Sequence, residues 1–176
     1  MSGLTLKDIA AHGHVRRWHT ARVRREQTLG EHVGLVAMIA LKLGSAVGLK
    51  PGSLGSLMAA ALLHDAPETQ YGDIPSPAKQ YYRKTFGGNL DEASDRVFWA
   101  ERGGWARWHT EEWQVCMEIL CHADLLEAWL FYRQEGLDAE KMAAIQAEML
   151  NSQAYLSPAL KEASLALIDE YLREVA

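Results

Sequence analysis

His64 and Asp65 stand side by side at the end of the apolar run Leu54–Leu63. A histidine and a carboxylate placed there can both ligate one divalent cation. His32 upstream and Asp124 downstream are the candidates for the remaining protein ligands. His32 falls in the first turn of a helix, with Val36, Ile39 and Leu43 following at helical spacing, so its ring points inward. Asp124 lies four residues after Leu120 and four before Ala128, on the apolar face that also carries Trp113, Met117 and Phe131. An unpaired carboxylate on such a face is costly. An arginine, a helix N-terminus or a metal ion would each satisfy it, and the neighbouring His-Asp pair favours the metal. The mixed nitrogen and oxygen donors suit zinc, cobalt, manganese or iron better than calcium. The pattern reads as a metal-dependent hydrolase.

Glu68 follows the pair by three residues in HDAPE. It is either a general acid or base beside an activated water, or a helix N-terminal carboxylate facing the dipole. Asp73, after Gly72, either binds a substrate hydroxyl or stabilises a turn. The stretch Arg16–Arg25 holds five arginines in an otherwise acidic chain. Arginine matches phosphate oxygens in bidentate geometry, and Trp18 offers a flat face to a base or sugar. The alternative is a solvated basic loop with Trp18 packed in the core. Lys79 either reaches a phosphate or is a surface lysine. His122, two residues from Asp124, faces roughly the opposite side of its helix.

Those residues need a scaffold, and the chain suggests one all-α domain over residues 1–176. Its 176 residues and 48% hydrophobic content allow a single sizeable core. Thr28–Glu31 reads as a capping box, with Glu31 reaching back to the Thr28 amide. The helix it opens carries Leu35, Val36, Ile39, Ala40 and Leu43 on one face, with Gly44 and Gly48 near its end. Pro51-Gly52-Ser53 turns into the next stripe, Leu54, Leu57, Met58, Ala61 and Leu62. Residues 67–77 read as loop or short turns, followed by helices over 76–86 and 90–102. Thr110 is expected to cap a long helix to about Gln134, Asp138 a shorter one to about Leu150, and Ser157-Pro158 the last. No alternating run is long enough for a sheet.

The net charge of -5 and pI near 5.8 argue against a nucleic-acid polymer as partner. The N-terminus lacks the apolar centre of a signal peptide, and no apolar run approaches membrane-spanning length. Cys116 and Cys121 match neither a redox pair nor a zinc finger, so a reduced cytoplasmic chain is expected. Trp99, Trp105, Trp108, Trp113 and Trp129 are either core residues or part of an oligomer interface.

Taken together, the stretches RRW (Arg16–Trp18), GEHV (Gly30–Val33), ALLHDAPETQYGDIPSPAK (Ala61–Lys79) and HAD (His122–Asp124) resemble the HD-domain metallophosphohydrolases. The nearest subgroup includes bacterial 5'-deoxynucleotidases and phage deoxynucleoside triphosphate triphosphohydrolases. The GDIPSPAK extension is far more specific than the His-Asp pair itself. The resemblance implies a compact helical HD domain in which His32, His64, Asp65 and Asp124 bind a catalytic Zn, Co or Mn ion, with room for additional Mg. It implies that Glu68 acts on the attacking water and that Arg17 and Trp18 contact phosphate and deoxyribose, Trp18 closing off space for a 2'-hydroxyl. Asp73 is similar to the acid that holds the 3'-hydroxyl, and Lys79 offsets phosphate charge. The expected substrate is a small-molecule deoxynucleotide. The arginines at 22, 24 and 25 tilt the choice toward a triphosphate, with dATP the best guess from phage relatives. The alternatives are a 5'-deoxynucleotidase on monophosphates and a catalytically idle binding domain. The resemblance also implies a homo-oligomer in a bacterial cell or phage-infected host. The segment Leu90–Glu112 has no recognisable match.

Overall fold

The structure is a computed structural model that describes residues 3–101 and 112–175. The elements run α1 (Leu6–Ala11), β1 (Arg16–Arg17), β2 (Gln27–Thr28), α2 (Leu29–Ala46), α3 (Pro51–Leu63), α4 (Glu68–Tyr71), α5 (Ser76–Phe86), α6 (Leu90–Glu101), α7 (Trp113–Glu135), α8 (Ala139–Ser152) and α9 (Pro158–Glu174), with a 3-10 turn at Gln153–Tyr155. The all-α expectation holds. It misses α1 and one small antiparallel ribbon, in which Arg16 pairs with Thr28 and Arg17 with Gln27. Two residues per strand are too few to show an alternating pattern.

α2 is the central helix. It packs against α3 and α7, and α9 touches its other side. Val36, Ala40 and Leu43 of the expected stripe are buried, whereas Leu35 is 38% exposed. On α3 Leu57 and Ala61 are buried while Leu62 turns outward. By length and composition α2 would also suit a membrane crossing, contrary to the expectation from the sequence. Part of that apolar character faces the core, and part, at Leu35, Met38 and Leu41, is exposed. α7 is buried on most of its circumference, with Ile119, Leu120, Ala123, Leu126, Trp129 and Tyr132 in the core. A smaller cluster of Ala66, Phe98 and Trp99 fixes α6 against the segment after His64-Asp65. Trp99 and Trp129 are therefore core residues, and Trp113 is half-buried against the same core. Trp105 and Trp108, like Thr110, lie outside the described residues.

Local chemistry sets the element ends. Thr28 Oγ1 accepts from the Glu31 amide at 3.1 Å, which starts α2. The return half of the expected box is absent, because the Glu31 carboxylate pairs with Arg25 at 2.7 Å instead. Gly48, at φ 78°, closes α2 in a conformation that glycine adopts at no steric cost. Asp138 caps α8 through the Glu140 and Lys141 amides, as its position in the sequence predicts.

Candidate metal centre

Three helices aim their side chains at one point. α2 supplies His32 from its first turn, the end of α3 supplies His64 and the adjoining Asp65, and mid-α7 supplies Asp124. His32 Nε2 lies 3.3 Å from His64 Nε2, 3.2 Å from Asp124 Oδ1 and 3.4 Å from Asp65 Oδ2. His64 Nε2 lies 3.3 Å from Asp65 Oδ2 and 4.0 Å from Asp124 Oδ1. Donor atoms of His32, His64 and Asp124 all fall within 4.8 Å of one another.

Hydrogen bonding on the far side of each ring decides what those nitrogens can do. His64 Nδ1 sits 2.8 Å from the Ala61 carbonyl, an acceptor, so it must carry the hydrogen. His32 Nδ1 lies 2.6 Å from Glu127 Oε2 and donates likewise. In the neutral rings both Nε2 atoms then present lone pairs to each other and to two carboxylates. A proton on one ring or a bound cation would relieve such a convergence of acceptors. Zinc bonds of about 2.0–2.1 Å would place neighbouring tetrahedral donors about 3.3 Å apart; four of the five separations are close to this, and His64 Nε2 to Asp124 Oδ1, at 4.0 Å, is longer. Burial and the nearby Arg17 charge work against a proton on His32, yet Asp124, Asp65 and Glu127 push it up to about 10. That preference for positive charge is the same electrostatic demand a divalent ion would meet. Desolvation opposes ionisation of Asp65 too, but His64, His32 and Arg17 hold its carboxyl far below the usual range. Asp124 is held down at about 2 by His32 and His64 against the cost of burial.

Glu68 opens α4 and is 8% exposed. Its Oε1 faces Lys79 Nζ at 3.4 Å, and its Oε2 is buried with no hydrogen-bond partner among the described residues. Burial and the Asp65 charge push the carboxyl up to about 8, with Lys79 opposing. A buried carboxylic acid that keeps its proton at neutral pH can donate it.

The other expected contacts are placed as follows. Arg17 is half-buried and its Nη1 donates to Asp65 Oδ2 at 3.0 Å, beside the cluster. Trp18 stacks on Phe131 with centroids 5.5 Å apart and an interplanar angle of 11°, and tilts against Tyr132. Its φ of 65° is left-handed backbone, which costs a non-glycine residue about 1–3 kcal/mol unless tertiary contacts over-determine it. Asp73 lies 3.3 Å from His19 Nδ1, on the loop that follows Gly72. His122 is on the opposite side of α7 from this cluster, enclosed by Ser152 and Ser164.

Two site residues escape a reading of the sequence. Glu127, 1% exposed, holds His32 from behind, and Gln27, 0% exposed, reaches Glu127 Oε1 with Nε2 at 2.5 Å. Gln27 Oε1 in turn accepts from the Trp18 indole at 3.0 Å. A signal for Glu127 exists, since a lone carboxylate between Leu126 and Trp129 in an apolar helix needs a partner.

One expectation is corrected. Arg24 donates to the Gln134 carbonyl, and Arg25 pairs with Glu31 and Glu135. Glu135 is eleven residues beyond Asp124 on α7, or about 16 Å along the axis. Carboxylates and carbonyls at the end of α7 thus capture these two arginines, and Arg22 joins the same junction through its carbonyl, which accepts from Leu137. The positive charge of Arg24 and Arg25 is therefore not aimed at the metal cluster.

Comparison with known proteins agrees with this geometry. The family model described as 5'-deoxynucleotidase YfbR-like matches residues 7–93. A dATP triphosphohydrolase of Salmonella phage PMBT28 is 33% identical over 149 residues, covering 77% of this chain and 71% of the relative. A second dATP triphosphohydrolase, from cyanophage S-2L, is 26% identical over 126 residues, covering 72% and 68%. Among solved structures, the cyanophage S-2L HD phosphohydrolase (DatZ), bound to dA and one catalytic Zn2+ ion, superposes with a TM-score of 0.76. That match covers 99% of both chains at 20% identity and establishes a shared fold.

Proposed function

The chain belongs to the HD phosphohydrolase family that includes the phage dATP triphosphohydrolases, and on that premise we propose that it hydrolyses a 2'-deoxynucleoside 5'-triphosphate, dATP first, at the α-phosphate. Water oxygen bonds to the α-phosphorus, the bond from phosphorus to the 5'-oxygen breaks, and the departing oxygen takes a proton. The products are deoxynucleoside and triphosphate. The observation that carries this reading is the convergence of acceptor atoms from His32, His64 and Asp124, with Glu68 nearby.

His32, His64, Asp65 and Asp124 would hold a divalent transition metal, zinc first, then cobalt or manganese, with magnesium accompanying the triphosphate. When bound, such an ion supplies Lewis acidity toward water and a phosphate oxygen. Glu68, protonated at neutral pH, holds the proton that a departing 5'-oxygen needs. Arg17, already oriented by Asp65, and Lys79, by Glu68, would offset phosphate charge. Asp73, positioned by His19, would take the sugar 3'-hydroxyl, and the Trp18 ring would exclude a 2'-hydroxyl. We read residues 1–176 as one such domain, working as a homo-oligomer in the cytoplasm of a bacterial cell or phage-infected host.

A panel of dNMPs and dNTPs, with orthophosphate and triphosphate release measured separately, tests the assignment. Triphosphate release from dATP is expected. Efficient dNMP cleavage with inert dNTPs would replace it with the second reading, a 5'-deoxynucleotidase, which the family match over residues 7–93 favours. A chain that binds no transition metal, and whose nucleotide binding survives His64→Ala and Asp65→Ala unchanged, would instead be an idle binding domain.

A further inference from the structure

We propose that Gln27 and Glu127 form a positioning relay between Trp18 and His32, so that deoxyribose discrimination and metal affinity are coupled in this chain. The inference rests on the metal-dependent reading above.

The direction of every hydrogen bond in the relay is fixed by the chemistry of its ends. An indole N–H can only donate, so the Gln27 atom 3.0 Å from Trp18 Nε1 must be the amide oxygen. That orients Nε2 toward Glu127 Oε1, at 2.5 Å. The second Glu127 oxygen accepts from His32 Nδ1 at 2.6 Å. His32 is thereby held in one tautomer, with the Nε2 lone pair turned to His64, Asp65 and Asp124. Gln27, Glu127 and His32 are 0%, 1% and 0% exposed, so water cannot replace a lost partner.

The two ends also share a rigid element. Glu127 and Phe131 lie four residues apart on α7, one holding His32 and the other stacking on Trp18. Among the described residues Trp18 is the one non-glycine with positive φ. A side chain on such a backbone stays in place through its tertiary contacts, and the bond to Gln27 is its described side-chain hydrogen bond. Histidine ligands oriented by a carboxylate typically lose 10–100-fold in metal affinity when that carboxylate is removed. A change at Trp18 that frees the Gln27 amide is then expected to reach the metal site through Glu127 and His32.

The test is zinc affinity of the full chain, read by competition with a chromophoric chelator, for wild type, Trp18→Phe, Gln27→Met, Glu127→Gln and the double variants. Trp18→Phe keeps an aromatic ring on Phe131 and removes the indole N–H. Glu127→Gln is expected to weaken zinc at least about tenfold. Gln27→Met and Trp18→Phe should each weaken it several-fold, and the Trp18→Phe effect should vanish once Gln27 is replaced. In parallel, the kcat/KM preference for dATP over ATP should fall in Gln27→Met although Trp18 is intact. Melting of the metal-free proteins monitors folding. Should Gln27→Met fail to fold, Trp18→Phe combined with Glu127→Gln completes the same cycle. Zinc affinities equal to wild type in the single variants, or strictly additive effects in the doubles, would overturn the relay while leaving the metal reading intact. A wild-type chain that binds no transition metal would overturn both.

Discussion

Acidification should loosen the junction of α7, α8 and α9 through His122. The ring is 1% exposed, with Nδ1 3.0 Å from Ser152 Oγ and Nε2 2.7 Å from Ser164 Oγ. Ser152 gives its hydroxyl hydrogen to the Met149 carbonyl at 2.7 Å, so toward the ring its oxygen accepts and Nδ1 donates. Nε2 then accepts from Ser164, whose oxygen also receives Gln153 Nε2 at 3.4 Å. The network is complete with a neutral ring. A second proton on Nε2 would take Ser164 Oγ as its acceptor, turn that hydroxyl's hydrogen away from the ring, and place a charge at a buried position. Burial accordingly pushes His122 down to about 4, although Glu118 works the other way.

The unfolded chain takes up this proton below its ordinary value of about 6.5, and the folded chain only below about 4. His122 therefore costs nothing above pH 6.5, and stability falls as pH drops from there toward 4. The loss from this group is at most about 2 kcal/mol at pH 5 and about 3 kcal/mol at pH 4. Urea unfolding of wild type and His122→Asn, both with chelator and from pH 7.5 to 5, isolates it because all other groups titrate alike. Asn retains a donor and an acceptor but cannot titrate. The variant should be less stable by about 1–2 kcal/mol at pH 7.5, and the gap should shrink by up to about 2 kcal/mol at pH 5. A gap that stays constant with pH would refute the neutral-histidine account.

Four further outcomes are expected. Glu68→Gln should lower kcat about 10²–10⁴-fold with zinc affinity unchanged, and should remove a loss of activity as pH rises through about 8, where the wild-type acid gives up its proton. Chelation should abolish hydrolysis and lower the melting temperature, since saturation at a thousand times Kd stabilises the fold by about 4 kcal/mol; calorimetry with and without chelator measures it. Gly136→Ala should cost about 1–3 kcal/mol by overpacking, because a Cβ there overlaps the Tyr132 ring and carbonyl; the same denaturation assay reports it. Trp18→Ala should raise kcat/KM for ATP relative to dATP, measured as triphosphate release.

The contrast between what the chain discloses and what it hides follows from the range of each interaction. His32 and Asp124 are legible because helical periodicity fixes which way a side chain faces on a long helix, and the His64-Asp65 pair because it directly follows the apolar run that makes α3. Glu127 carries the same signal, three residues after Asp124 in an apolar stretch, and could be found by asking what satisfies it. Gln27 could not, because it lies in a two-residue strand whose pairing is set by residues elsewhere. The half-formed capping box has the same origin. Thr28 and Glu31 have the right spacing, but Arg25 bridges Glu31 to Glu135, more than a hundred residues away, and draws the carboxylate off. That bridge also bears on substrate charge. Five arginines in ten residues suggest a strong positive field, yet Arg16 pairs with Glu26, Arg17 with Asp65, Arg24 with a helix-end carbonyl and Arg25 with two carboxylates. A count of charges along a segment overstates the potential offered to a ligand wherever later helices return acceptors to it. The preference for a triphosphate therefore rests on kinship with the phage enzymes and not on that count, and Arg17 is the member of the run whose partner, Asp65, brings it to the cluster.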